Sequence, residues 1–299
     1  MQKIKKRKER LIFGGIVGSI IYIFAGAILP FVYQPRISQD TVDNFHLDEF
    51  YGEDYISERA SLIIDNGQAL EERIRMISQA EEKIIISTFQ FSSDDSGKAM
   101  LSSLLSAAKR GVKVQIIVDG LSGLMQLKGN KYFLALSEEE NAQIRIYNPV
   151  SLLRPWSLNG RLHDKYLIVD DSSYILGGRN IFDIFLGKDS THKNHDWDVL
   201  VYNQREGQSD SMKQLLGYFN TIWNKPESKD FKNNLGFLRN RSIKEGKEEL
   251  ESIYDKLQEE HGQWFEPIDY YTITKPVKNI RLESNPTNLY AKEPIVFHT

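Results

Sequence analysis

The chain has 299 residues, 38 of them basic and 41 acidic, for a formal net charge of −3. It contains no cysteine, which excludes a disulfide framework and a thiolate zinc site. The length admits one large or two medium domains.

The first ten residues, MQKIKKRKER, hold six Lys or Arg against one Glu. Residues 11–33 then run without a charge and are long enough to cross a bilayer as a helix. The run exceeds the apolar core of a signal peptide, so it reads as an uncleaved anchor with 1–10 as its cytoplasmic flank. The charge asymmetry then predicts a single-pass protein of the cell membrane, its N-terminus cytoplasmic and its folded part extracytoplasmic. Gly14 and Gly18 have the spacing of a helix-pairing motif, although glycine is common in such helices anyway. Without residues 1–10, the 38 basic and 41 acidic residues fall to 32 and 40, a net −8. A protein that coats nucleic acid carries a basic footprint, so nucleic acid is not a favoured partner.

Residues 34–59 are polar and mixed, and read as a stalk. An α/β pattern follows. Residues 60–78 have helical apolar spacing. KIIISTFQF, at 83–91, is strand-like, and residues 96–110 form an amphipathic helix ended by Gly111. VKVQIIVD, at 112–119, is a buried strand. Strand, helix and strand at this spacing predict a parallel crossover unit. Further strands are expected at 141–147 and 198–202, with a helix at 209–223. The fold class is therefore α/β, with a mixed, largely parallel sheet flanked by helices and preceded by one transmembrane helix. Residues 226–276 are charged and read as a solvated connector. Residues 277–284 have a strand pattern, and 277–299 look like the start of an incomplete second half.

The most informative stretch is RLHDKYLIVDDSSYILGGRN at 161–180. Two apolar runs, 166–169 and 174–176, flank a polar turn and predict a β-hairpin. Strand alternation puts His163 and Lys165 on one face, so an imidazole and an ammonium share a pocket. An imidazole can attack phosphorus or move protons, and a lysine can hold anionic oxygens. Asp170 has the opposite parity and reaches that pocket only if the strand curls at its end.

His163, Lys165, Asp170, Gly177 and Asn180 fit H-x-K-x4-D-x6-G-x2-N, and at these residues the sequence resembles the phospholipase D superfamily. The strand–helix–strand before the motif, the run NHDWDVLVY and the helix ending in YFNTIW extend the resemblance over 60–225. Its signature region is 157–184. The resemblance implies two copies of the motif meeting face to face. One histidine attacks the phosphodiester phosphorus and forms a phosphohistidine, while the other protonates the leaving alkoxide. His163 is then the nucleophile, Lys165 holds the phosphate, Asn180 assists and Asp170 orders the site. A carboxylate is needed to orient the imidazole, and Asp198 or Asp196 is the candidate, with Asp198 preferred. Gly177 and Gly178 would allow close backbone approach to the phosphate, or are simply a strand-end kink. The chemistry calls for no cofactor and no metal. His192, His195, Asp196 and Asp198 lie close together but match no recognised metal spacing.

The sequence holds a single H-x-K-x4-D: His261 is followed by Gly-Gln, and His298 is second from the end. A second motif must come from a homodimer partner or from a separate C-terminal half. The membrane-anchored members resembled here are cardiolipin synthases and related phosphatidyltransferases, which makes phospholipid the expected substrate. Two alternatives stand beside this reading: a homodimeric phosphodiesterase or nuclease, and an inactive truncated membrane-tethered domain.

Overall fold

The computed structural model describes residues 2–32, 39, 43, 46, 51–187, 192–204, 210–231, 236–284 and 295–297. Most of the expected stalk lies outside the described residues. The uncharged run forms the middle and end of helix α1, Gln2–Val32. Its segment Lys5–Leu29 is long and apolar enough to cross a membrane and is unburied by the rest of the chain.

The first strand, β1 (Glu58–Ile63), takes in the last two residues of the expected stalk and residues 60–63, expected to be helical. It pairs antiparallel with β7 (Asp198–Asn203) from Glu58↔Asn203 to Ile63↔Asp198. The helix starts only at Asn66, where the Asp65 carboxylate accepts the Gln68 N–H at 2.9 Å. That cap satisfies one of the orphan donors of the first turn, so helix α2 (Asn66–Gln79) begins there and the apolar residues before it stay extended. Strand β2 (Lys83–Thr88), helix α3 (Asp95–Lys109) and strand β3 (Lys113–Asp119) make the predicted parallel crossover. Asp94 caps α3, and Gly111 follows its end at φ 99°, where only glycine turns without strain. A π-turn (Gly123–Leu127) and helix α4 (Lys131–Ser137) lead to β4 (Ala142–Tyr147). The motif hairpin is β5 (Lys165–Val169) and β6 (Ser173–Gly177). Helix α5 (Asp210–Trp223) follows β7.

With β8 (Ser228–Asp230) and β9 (Lys275–Pro276) at its edges, the nine-stranded sheet has the order β8-β4-β3-β2-β5-β6-β7-β1-β9. It is mixed, but parallel pairing is confined to β2, β3 and β4. The remaining neighbours run antiparallel, so the sheet is less parallel than expected. The reason is local: short connections such as the β5–β6 turn can only reverse the chain. One face carries Ile84, Ile86, Leu167, Ile175 and Leu200 against α2 and α3. The alternate residues Ile85, Tyr166, Ile168, Tyr174 and Val201 pack on α5. Both faces are covered, which explains the continuous apolar runs of the central strands.

The described residues of 226–276, read above as a solvated connector, are part of this layer structure. Helix α6 (Gly236–Glu260) packs on α3 and α4 and fully buries Leu250. Its acidic residues are docking groups: Glu251 pairs with Lys109, and Glu249 with Lys131 at 2.5 Å. Flanking it, β8 (Ser228–Asp230) pairs with β4, and β9 (Lys275–Pro276) with β1. Both edges of the sheet are thus closed by very short strands, a protection against edge-to-edge association. Beyond them, β10 (Leu282–Ser284) pairs antiparallel with β11 (Ile295–Phe297).

Candidate active site

Of the motif residues, His163, Lys165, Gly177 and Asn180 gather at the edge of the sheet formed by the C-terminal ends of β2, β3 and β4. Thr88 of β2 is opposite Lys165 of β5, and Gly177 of β6 is opposite Asp198 of β7. This row runs along the face that packs on α2 and α3. His163 stands two residues before β5, exposed at the edge, with the Phe89 ring 5.3 Å away. Behind it Lys165 is buried. The Lys165 Nζ donates to the His163 carbonyl at 2.7 Å and lies 3.0 and 3.1 Å from the two ring nitrogens. The two side chains are therefore in contact. Partial burial, and next the Lys165 charge, lower the pKa of His163 from 6.5. Burial lowers that of Lys165 to about 8, against the opposing pull of Asp164 and Asp196. The imidazole is neutral and the ammonium charged at neutral pH.

The segment that delivers His163 is tied to the end of β3. Asp119, fully buried, accepts from the Leu162 N–H at 2.8 Å and from Arg161 at 3.1 Å. Asp119 also caps the turn that follows β3 through the Leu121 N–H at 2.8 Å. One carboxylate thus fixes both the approach to the motif and the loop beside it. The Asn180 Oδ1 accepts the Gln90 N–H at 3.0 Å, which ties the strand end after β2 to the motif.

Asp198 is fully buried at the base of this arrangement. Its Oδ2 accepts from Arg73 of α2 at 2.8 Å and from Arg179 at 3.2 Å. Among the described residues the His163 ring bonds to Lys165 and not to Asp198. Sequence reasoning missed Arg73 and Arg179. The signal was there for Arg73: it sits between Leu70, Ile74 and Ile77 on the buried face of an amphipathic helix. A cation at such a position requires a buried carboxylate. Gly177 and Gly178 are held small by the same strand. A Cβ on Gly177 would lie 2.1 Å from the Asp198 Oδ1, and one on Gly178 would lie 2.2 Å from the Asp196 carboxylate. A Cβ on Gly177 would also meet the Trp197 carbonyl at 2.3 Å, so backbone packing accounts for that glycine, whereas Gly178 meets the Asp196 side chain.

Asp170 is not brought to the pocket. It lies at the opposite end of β5, at φ 51°, where its carboxylate accepts the backbone N–H groups of Glu81, Glu82 and Lys83 at 3.2, 2.9 and 2.9 Å. The strand stays straight from Lys165 to Val169, so parity and five residues of length keep the two ends apart. Asp170 orders the start of β2, and through β2 the sheet. Asp170→Ala is expected to lower stability by about 1–3 kcal/mol by stranding those donors and leaving alanine at positive φ. Thermal unfolding followed by circular dichroism checks this, and Asp170→Asn should recover much of the loss.

Asp164, between His163 and Lys165, points to the other face. It is buried and accepts from the Tyr218 hydroxyl of α5 at 2.9 Å. Burial raises its pKa to about 7, with that hydrogen bond opposing. Among the described residues, no group of three His, Asp or Glu side chains is placed to hold a metal ion.

A family profile described as "Cardiolipin synthase, PLD-like domain" matches residues 73–223, just over half of the chain and the whole of this site. The chain belongs to the phospholipase D-like family. Cardiolipin synthase C of Escherichia coli (strain K12) is 33% identical over 147 residues, covering 44% of this chain and 29% of that protein. A cardiolipin synthase of Clostridium perfringens is 34% identical over 128 residues, covering 43% of this chain and 26% of that one. The phospholipase D-like stretch thus spans less than a third of these curated relatives. Among solved structures, NucT from Helicobacter pylori matches 58% of this chain and 99% of its own length, at 21% identity and a TM-score of 0.45.

Proposed function

We propose that the chain supplies one half of a phospholipase D-type phosphodiesterase or phosphatidyltransferase acting on phospholipid at the membrane that holds α1. The observation that carries this reading is the His163–Lys165 pair: a neutral, exposed imidazole backed by a buried ammonium. A ring nitrogen of His163 attacks phosphorus, the bond to the leaving alkoxide breaks, and a proton passes to that oxygen from a second histidine. Water or an alcohol then attacks, giving its proton to the second histidine, and the phosphorus–nitrogen bond breaks. Lys165 holds the non-bridging oxygens as their charge grows. Asp198 acts through its arginines on the floor of the site, and Asn180 by holding the strand end after β2. The second histidine comes from a second copy of the motif, in a partner chain or a separate half. The relatives named as cardiolipin synthases and the apolar α1 support phospholipid over nucleic acid, as does the net −8 outside the basic flank.

The test is turnover of phosphatidylglycerol and of a single-stranded oligonucleotide by the detergent-solubilised full chain, with oligomer size recorded. Lipid turnover by a dimer supports the reading, and oligonucleotide turnover alone overturns it. The pH profile adds a sharper expectation. The reaction needs His163 neutral, Lys165 charged and the second histidine protonated, so the acid limb lies below pH 6.5 and loss of the Lys165 charge adds a fall as pH rises through about 8. Lys165→Arg keeps its charge at high pH, so the residual activity of that variant should lose the limb near 8. An alkaline limb that stays in place in the variant would assign it to another group.

A further inference from the structure

Two loops leave the sheet beside the site, one after β3 and one after β4. They carry large apolar side chains in the open: Leu121, Leu124 and Met125 on the first, Leu152, Leu153 and Trp156 on the second. Leu153 is 82% exposed and Met125 69%. Scattered exposed leucines need no explanation, but six on adjoining loops at one edge form a patch. The loops are neighbours because β3 and β4 are parallel partners. Gly120 lies against the Asn148 carbonyl so closely that an added Cβ would stand 2.2 Å from it.

The second loop is seated on α1. The Tyr22 hydroxyl donates to the Leu153 carbonyl at 2.9 Å, and the Asn159 side chain donates to the Ala27 carbonyl at 3.0 Å. At Gly26 the helix meets Pro155 so closely that a Cβ would lie 2.3 Å from the proline Cγ. Tyr22 is seven residues inside the apolar segment that ends at Leu29, about 10 Å along a helix at ~1.5 Å per residue. A loop bonded to Tyr22 therefore sits at the depth of the apolar part of α1, not above it.

Backbone placed at such depth must satisfy its polar groups internally. This loop does so in part. Arg154 N–H bonds to the Ser151 carbonyl and Ser157 N–H to that of Arg154. The Asn148 side chain donates to the carbonyls of Ser157 and Gly160 at 2.8 and 2.7 Å. The local charge is also one-sided. The sequence has no Asp or Glu from 120 to 137 or from 141 to 163; Lys131, Arg145 and Arg161 in these stretches pair with Glu249, Asp230 and Asp119, and the loops themselves carry Lys128 and Arg154. The rest of the folded part is acidic.

The geometry points to a membrane-docking surface: the loops 120–128 and 149–160 lie in the leaflet that surrounds the end of α1, Leu153 and Met125 in the acyl region and Trp156 and Arg154 near the phosphates. The occupant is a bilayer with anionic lipid, a choice that follows from continuity with α1, loop depth and the basic Lys128 and Arg154 on loops that carry no Asp or Glu. This deepens the proposed function and rests on its membrane anchor. His163 follows the second loop directly, so docking would hold its ring at the headgroup level and deliver phosphodiesters from the leaflet rather than from solution.

The absence of cysteine makes single-position labelling clean. Full-length Ile20→Cys, Met125→Cys, Leu153→Cys and Glu81→Cys chains, each with a bimane label, are reconstituted in vesicles of phosphatidylglycerol and phosphatidylcholine. Acyl-brominated lipids are the quencher. Loss of most emission at positions 20, 125 and 153, with none at position 81 on the opposite end of the sheet, is the expected result. Quenching at 20 but not at 125 and 153 overturns the docking surface and leaves the anchor standing. Labels at 125 and 153 that are shielded from water yet unquenched by bromolipid mean a second copy of the chain covers the patch, which also overturns it. No quenching at 20 removes the anchor; docking then survives only if 125 and 153 are still quenched.

Discussion

His163→Ala should abolish turnover, lowering kcat/KM by about 10^4-fold or more, or roughly 5 kcal/mol of transition-state stabilisation. The size follows from the proposed role. A nucleophile that forms the covalent intermediate has no substitute in the motif, since Lys165 is buried behind it and is charged at neutral pH. The same substitution should change stability by no more than about 0.5 kcal/mol, because the ring is exposed and, among the described residues, hydrogen-bonds with Lys165 alone. A variant that keeps its unfolding temperature and loses its rate separates chemistry from folding. Activity within tenfold of the parent chain would remove His163 from the role of nucleophile.

Asp198→Ala should act in the opposite way, through the fold first. Arg73 and Arg179 both converge on the Asp198 Oδ2 inside the structure, and all three groups are buried. Removing the carboxylate leaves two guanidinium groups with less compensation where water does not reach. Breaking a buried pair from one side costs about 3–5 kcal/mol. For a chain of this size that is a fall in Tm of roughly 10 °C. Arg179 keeps part of its hydrogen bonding through the carbonyls of Ile63 and Ile64, at 3.0 and 2.5 Å, so Arg73 is the more exposed to the loss. An Arg73→Met, Asp198→Leu double variant should therefore recover part of the stability. Thermal unfolding of the single and double variants reads this directly. A drop under about 1 kcal/mol in Asp198→Ala would contradict the account of the floor of the site.

The hairpin and the crossover unit were legible in the sequence because both depend on local pattern: alternation for β5 and β6, and strand–helix–strand spacing for β2, α3 and β3. The pairing of His163 with Lys165 followed from parity alone. Parity also carried the warning about Asp170, whose opposite phase and five-residue separation put it at the far end of the strand. What pattern could not show was long-range partnership. Arg73 and Asp198 are 125 residues apart, and only the folded sheet brings α2 over the β7 end. The same holds for α6: its charges look like a solvated face until Glu249 and Glu251 are seen to meet Lys131 and Lys109. The helix expected from residue 60 was misplaced because the apolar spacing of 60–64 fits strand and helix equally well, and the decision lies with the Asp65 cap and the β7 partner. The docking loops follow the same logic. Leu152, Leu153 and Trp156 are unremarkable in sequence, and take on meaning only beside Tyr22 and Gly26.

The most direct measurement is to trap the intermediate. The detergent-solubilised chain is mixed with phosphatidylglycerol, quenched within one turnover under alkaline conditions that preserve phosphorus–nitrogen bonds, digested and analysed by mass spectrometry. The account predicts a phosphatidyl adduct on the peptide containing His163, labile to acid and absent from His163→Ala. Turnover without an adduct on that peptide, or an adduct that persists in the variant, would contradict it.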